Sequence, residues 1–131
     1  MNPRPFAAVL GVAFLLAAIA GFFPSPIPAD APPLRIEQQH GLALGLFPVN
    51  IMHNVVHLLF GVLGLAAARN IGSALGYAKL VAVAYALLVV LGLLPATHTT
   101  FGFIPIYGND VWLHGAIALV AGIVGFGGRR A

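Results

Sequence analysis

The sequence contains no cysteine and very few charged residues. Without cysteine, the chain can form neither a disulfide nor a thiolate metal site, and it has no thiol nucleophile. Charged residues make up only 7% of the chain, whereas soluble domains have about 25%. A surface with so few charges does not stay dissolved in water. We therefore expect most of the surface to face lipid, as the 60% hydrophobic content also indicates.

The sequence lacks the signals of two other classes of protein, namely nucleic-acid-binding proteins and serine hydrolases. The net charge is +3, but there is no run of basic residues and no basic helix face, so nucleic acid is not an expected partner. Serine occurs only at Ser25 and Ser73, and both lie away from the histidines. A Ser–His–Asp hydrolase is therefore not expected.

Four apolar segments are long enough to cross a membrane as helices, since a spanning helix needs about 20 such residues. The predicted spans are residues 6–23, 48–68, 74–94 and 109–128. Backbone groups in hydrocarbon must be bonded within the segment, and no alternating barrel pattern is present, so helices are indicated. The 131 residues therefore predict one all-α domain with four transmembrane helices in the inner (plasma) membrane.

The basic residues predict the orientation of the protein. Five of the six lie on one side of the four spans, at Arg4, Arg69, Lys79, Arg129 and Arg130. Arg35 lies on the other side, together with all three acidic residues. The positive-inside rule then places both termini in the cytoplasm. A competing interpretation makes helix one and the triplet Ala29-Asp30-Ala31 a cleaved signal peptide, although its 18-residue apolar stretch is longer than a usual signal core.

Parts of the second half of the chain repeat the first half. Four polar or turn-forming positions correspond at a spacing of 57 residues: Gly45 with Gly102, Pro48 with Pro105, His53 with Asp110, and His57 with His114. Helix one aligns with helix three at a spacing of 71 residues, so that Gly21–Pro24 corresponds to Gly92–Pro95. A duplication predicts two tandem helical hairpins related by a pseudo-two-fold axis along the membrane normal. The alternative is chance similarity among apolar residues.

The second and fourth spans carry a polar cluster that we predict to face inward near the outer face of the membrane. Its members are Asn50, His53, Asn54 and His57 on helix two, and Asn109, Asp110 and His114 on helix four. Spacings of three, four and seven residues place the helix-two members on one face. The same faces continue with small residues, which let membrane helices pack closely. These small residues are Gly61, Gly64, Ala118 and Ala121.

The chemistry of this cluster has three interpretations. His53, His57, Asp110 and His114 could supply three imidazoles and one carboxylate, a ligand set that suits zinc, iron or manganese. His57 and His114 could instead be axial ligands of a haem. The third interpretation is a hydrogen-bonded network between helices.

The sequence favours a non-enzymatic accessory or structural membrane protein, acting within a larger membrane complex or a homo-oligomer. This interpretation follows from the absence of any catalytic constellation other than the histidine and aspartate cluster. The alternative is a metal- or haem-binding membrane protein with a redox, transport or proton-transfer role.

Two stretches of the chain resemble a known family of membrane proteins. The first runs from Gly45 to Leu58, and the second runs from Phe101 to His114. Both resemble the bacterial family called domain of unknown function 4383, a set of small four-helix membrane proteins. The resemblance implies that fold and marks five signature positions, which are His53, Asn54, His57, Asp110 and His114. It implies no activity and no role for these residues.

Overall fold

Four α-helices dominate the computed structural model, which describes residues 2–127. They are α1 (Arg4–Gly21), α2 (Ile51–Ala67), α3 (Ile71–Leu93) and α4 (Asn109–Phe126). The predicted all-α class with four helices is confirmed, and α1, α3 and α4 are long and apolar enough to cross a membrane. With 17 residues, α2 is about 26 Å long, slightly short of the roughly 30 Å hydrocarbon core. The predicted end of helix four at residue 128 lies outside the described residues, as do Arg129 and Arg130.

The starts of α2 and α3 follow a local capping signal. Asn50 and Asn70 have extended backbones, and the Oδ1 atom of each accepts a hydrogen bond from the backbone N–H three residues later, at 2.9 and 2.8 Å. Asparagine is among the preferred residues at this position because its side chain satisfies a backbone donor that the helix leaves free. The cap makes α2 begin at Ile51, three residues after the predicted start at Pro48.

A short antiparallel β-hairpin precedes α2, and the sequence did not predict it. Its strands are β1 (Gly41–Ala43) and β2 (Phe47–Val49). The register pairs Gly41 with Val49, Leu42 with Pro48, and Ala43 with Phe47. The turn places Leu44 (φ 56°) and Gly45 (φ 71°) in the left-handed region, which glycine adopts easily and leucine does not. Each strand has only three residues and lies in a largely apolar stretch before a helix. Such short strands show no alternation of apolar and polar residues from which a strand could be predicted.

The helices pack as two helical hairpins. α1 lies along α2 and α3 lies along α4, while α3 also contacts α1 and α2. Within residues 2–127, α4 makes no extended contact with α1 or with α2. The core between the hairpins consists of small and aromatic side chains, among them Ala7, Phe14, Ala74, Tyr77, Val81, Tyr85 and Ala121. The Tyr77 hydroxyl donates a hydrogen bond of 2.8 Å to the Phe60 carbonyl, which satisfies a polar group that faces the apolar core.

The close approach of α1 to α2 depends on glycine. A Cβ atom at Gly11 would lie 2.9 Å from the carbonyl oxygen of Gly61, and one at Gly64 would lie 2.8 Å from the Cα atom of Gly11. The sequence placed Gly61 and Gly64 on the inward face that carries the polar cluster, and the helix they pack against is α1. On α4, Ala121 is fully buried in the core and Ala118 packs at its edge.

Gly11→Ala should lower the melting temperature of the detergent-purified protein, because the added methyl group meets α2 backbone atoms that cannot move aside. Gly76→Ala in α3 is the matched control, since nothing lies within 4 Å of the added carbon there. Alanine is favoured over glycine inside a helix by about 1 kcal/mol, so the control should be neutral or stabilising. A Gly11→Ala variant that melts as high as the control would contradict this packing of α1 on α2.

Candidate metal centre

Five polar side chains are buried at one end of the helical hairpins, next to the β-hairpin. They are Asn50, His53, Asn54, Asp110 and His114, each with an exposed fraction of 3% or less. Three of them lie at the start of α2, and two lie in the first turns of α4. Aspartate and asparagine are rarely buried this deeply without a partner, so the partners of these groups are the main question.

Three of these side chains lie close enough together to bind one metal ion. His53, Asp110 and His114 each offer one donor atom, and these atoms lie within 4.8 Å of one another. His53 Nδ1 is 3.8 Å from Asp110 Oδ2, which is too far for a hydrogen bond. Both atoms, and also His114 Nδ1, are buried without a hydrogen-bond partner among the described residues. Buried polar atoms are almost always paired. These three atoms are an exception, and they are therefore free to bind a further atom.

His57 lies one turn further along α2 and outside this three-residue group. Its ring centroid is 4.4 Å from that of His53, in an edge-to-face arrangement. Its Nδ1 atom is also buried and has no partner in residues 2–127. Phe14 packs on the His57 ring at 5.6 Å, and Tyr85 packs on the His114 ring at 5.0 Å. Aromatic side chains of α1 and α3 therefore hold both imidazoles in position.

The asparagines of the cluster join the helices to loops at the same end of the hairpins. Besides capping α2, Asn50 donates from Nδ2 to the carbonyls of Ile36 at 2.9 Å and Phe103 at 2.8 Å, which belong to different loops. Two further contacts run from Asn54 Nδ2 to Gln39 Oε1 at 3.1 Å and from Asn109 Nδ2 to the Leu46 carbonyl at 2.9 Å. The sequence grouped these asparagines as supporting residues. It could not identify their partners, which are 14 to 63 residues away in the chain.

A cavity of about 470 Å³ lies against the polar cluster. His53, His57, Asp110 and His114 all line it. Apart from these residues and Tyr85, the lining is apolar and comes from α1, α4 and the β-hairpin. The contribution of α1 carried no sequence signal, because that helix has no polar residue after its first turn.

The chain was compared with protein families, curated proteins and solved structures. A family model described as "Domain of unknown function (DUF4383)" matches residues 4–127. The chain belongs to the DUF4383 family. This match confirms the resemblance, and it spans all four helices and the β-hairpin of the DUF4383 protein. No curated protein and no solved structure matches the chain.

Two other histidines of the DUF4383 protein lie in loops, apart from the buried group. His40 is half-buried, and burial lowers its pKa, an effect that the negative charge of Glu37 partly offsets. The His98 ring packs 5.3 Å from that of Tyr107. Both histidines are partly buried. His98 provides a control histidine outside the cluster.

Asn50→Asp should destabilise the DUF4383 protein more than Asn70→Asp does. Aspartate keeps the capping acceptor at both positions, but at position 50 it removes two donated hydrogen bonds and adds a buried charge. We expect a loss of about 2–4 kcal/mol at position 50. The exposed Asn70 should lose no more than about 0.5 kcal/mol. Thermal unfolding in detergent measures the difference, and equal melting temperatures would contradict the bridging role of Asn50.

Proposed function

We propose that this DUF4383 protein is an integral membrane protein that binds one divalent transition metal ion through His53, Asp110 and His114. The observation that carries the proposal is the convergence of their three buried donor atoms within 4.8 Å of one another. These side chains also hold buried nitrogen and oxygen atoms that lack a partner in the described chain. One bound ion would pair all three groups at once.

The donor set fits such an ion. Two imidazoles and one carboxylate suit zinc, and also iron or manganese. A tetrahedral zinc ion holds neighbouring ligand atoms about 3.3 Å apart, so the group, now spread within 4.8 Å, would close by up to about 1.5 Å on binding. Three protein ligands leave a coordination position for another molecule, as in reactive rather than purely structural zinc sites.

The geometry favours an ion over the other interpretations of the cluster. A purely structural network would satisfy Asp110 with a neighbouring imidazole, but His53 Nδ1 lies 3.8 Å from the carboxylate. The haem interpretation depends on His57, which lies outside the group whose donor atoms converge. A carboxylate left unpaired in hydrocarbon is costly, and a metal ion removes that cost most directly.

Purified protein that has been stripped with a chelator and dialysed against Zn²⁺ should retain about one ion per chain, measured by elemental mass spectrometry. Asp110→Asn and His114→Ala should abolish this binding, because each removes one of the three ligands. His98→Ala is the matched control and should retain the ion.

Melting temperatures separate a lost ligand from a folding defect. Asp110→Asn keeps a side chain that can hydrogen-bond, so the metal-free variant should melt close to the metal-free parent. Added zinc should stabilise only the parent. Failure of the parent to retain zinc, iron or manganese would contradict the proposal, and so would equal ion content in the parent and Asp110→Asn.

The tandem duplication stays a prediction, and two local likenesses support it. Left-handed backbone occurs at corresponding pairs of residues, namely Leu44 and Gly45 with φ of 56° and 71°, and Phe101 and Gly102 with φ of 62° and 93°. The aromatic contacts on the cluster also correspond, with Phe14 on His57 and Tyr85 on His114.

We further infer that the end of the bundle that carries Arg4 faces the cytoplasm. Arg4 Nε donates to the Ala68 carbonyl at 2.7 Å, which joins the start of α1 to the end of α2. Arg35 belongs to the opposite end, where its backbone N–H donates to the Gly102 carbonyl at 2.8 Å. The positive-inside rule places the end with more basic residues in the cytoplasm.

Alkaline phosphatase should be active when it is inserted in the exposed loop near Asp30 and inactive when it is fused after Ala131, because the enzyme folds only outside the cytoplasm. A fluorescent protein that folds only in the cytoplasm should give the reverse result at the same two positions. Phosphatase activity at Ala131 would contradict the inferred orientation.

A further inference from the structure

An apolar seam runs along α1 and α4, away from the polar cluster. The 470 Å³ cavity forms one part of the seam, and a second cavity of about 510 Å³ forms the next. Leu10, Ala13 and Ile117 line both cavities, so the two are adjacent along the helices. Along α1 the lining residues extend from Pro5 to Ala20, a length of about 22 Å.

The seam is polar only where it meets the candidate metal centre. All the residues that line the second cavity are apolar, whereas His53, His57, Asp110 and His114 line the first. The Nδ1 atom of His57 is buried and unpartnered within the described residues, yet His57 is not in the metal-binding group. A metal ion bound to that group would therefore leave the Nδ1 atom of His57, at the polar end of the seam, without a partner.

We propose that the seam binds one long-chain fatty acid, with its carboxylate at the metal ion and His57 and its hydrocarbon chain between α1 and α4. This inference rests on the proposed metal site and names the molecule that completes it.

The charge of the site requires an anion. Imidazole binds a metal ion in its neutral form, so Asp110 alone offsets the charge of a divalent ion and one positive charge stays uncompensated. Asp110 is the only buried acidic side chain in residues 2–127. An uncompensated charge is costly in a low-dielectric interior, and a ligand with a single carboxylate would neutralise it. A neutral alcohol would not.

The walls of the seam fit a single hydrocarbon chain that enters from the membrane. α1 contributes small side chains at Ala13, Ala17 and Ala20, and the β-hairpin covers the polar end with Ala43 and Phe47. Because α1 and α4 make no extended contact in the described chain, the seam opens sideways toward lipid. A volume of 470 Å³ lies within the range of about 300–1,000 Å³ typical of small-molecule sites.

Native mass spectrometry of zinc-loaded protein in non-ionic detergent tests the inference with palmitate as the probe. One palmitate should bind per chain, and hexadecanol, which has the same chain without the charge, should bind about tenfold more weakly or worse. Ala17→Phe should lose palmitate and retain zinc, because it fills the seam without touching the ligands. Val12→Phe is the matched control, since Val12 is 47% exposed on the same helix and lines neither cavity.

The outcomes separate this inference from the metal site. Zinc binding without palmitate binding would overturn the fatty-acid inference and leave the metal site intact. Equal binding of palmitate by the parent and by metal-free Asp110→Asn would also overturn it, and so would equal binding of palmitate and hexadecanol. Loss of both zinc and palmitate in Asp110→Asn, with retention of both in Val12→Phe, is the expected result. Failure of the parent to bind zinc, iron or manganese would instead reject the proposed function itself.

Discussion

The burial of the Asp110 carboxylate in an apolar helical protein is the constraint on which the rest of the site depends. Asp110 is only 2% exposed, and it lies in the first turn of α4, where the helix dipole favours a negative charge. The dipole offsets only part of the desolvation cost, so a cation or a donor must complete the environment. His53 and His114 are the nearby imidazoles, but His53 Nδ1 is 3.8 Å from the carboxylate, and Asp110 Oδ2 and His114 Nδ1 have no hydrogen-bond partner among the described residues. The proposed shared ion would resolve the conflict for all three side chains.

The packing of the hairpins determines where this site opens. Glycines at positions 11, 61 and 64 bring α1 and α2 into backbone contact. α1 therefore packs closely along α2 and makes little contact with α4. The space that remains between α1 and α4 is the apolar seam, and the His–Asp–His group stands at its polar end. Close packing within each hairpin therefore produces the opening between them. The Asn50 amide joins the start of α2 to the loops that contain Ile36 and Phe103, at the same end of the hairpins as the site.

The proposed metal ion at the end of the apolar seam would have chemical consequences that neither feature has alone. Apolar surroundings strengthen the attraction between the ion and an anion, because the local dielectric constant is low. They also favour ligands that dissolve in the bilayer, because the lining of the seam is apolar apart from its polar end. The proposed carboxylate ligand meets both conditions, and the three protein ligands leave room for it in the coordination sphere.

Residue spacing within single segments was sufficient to predict the helical class, the approximate helix bounds and the position of His53 and His57 on one face of α2, and the resemblance of two stretches of sequence predicted the family. These properties are local, because they depend on contacts between residues a few positions apart. The tertiary structure decided the features that join distant parts of the chain. The β-hairpin turn at Leu44 and Gly45, the contact of Gly61 and Gly64 with α1, and the bonds from Asn50 to Ile36 and Phe103 carry no periodic signal. The seam between α1 and α4 is the clearest case, since its apolar walls carry no pattern that distinguishes them and only the arrangement of the two helices in space makes it the proposed binding site.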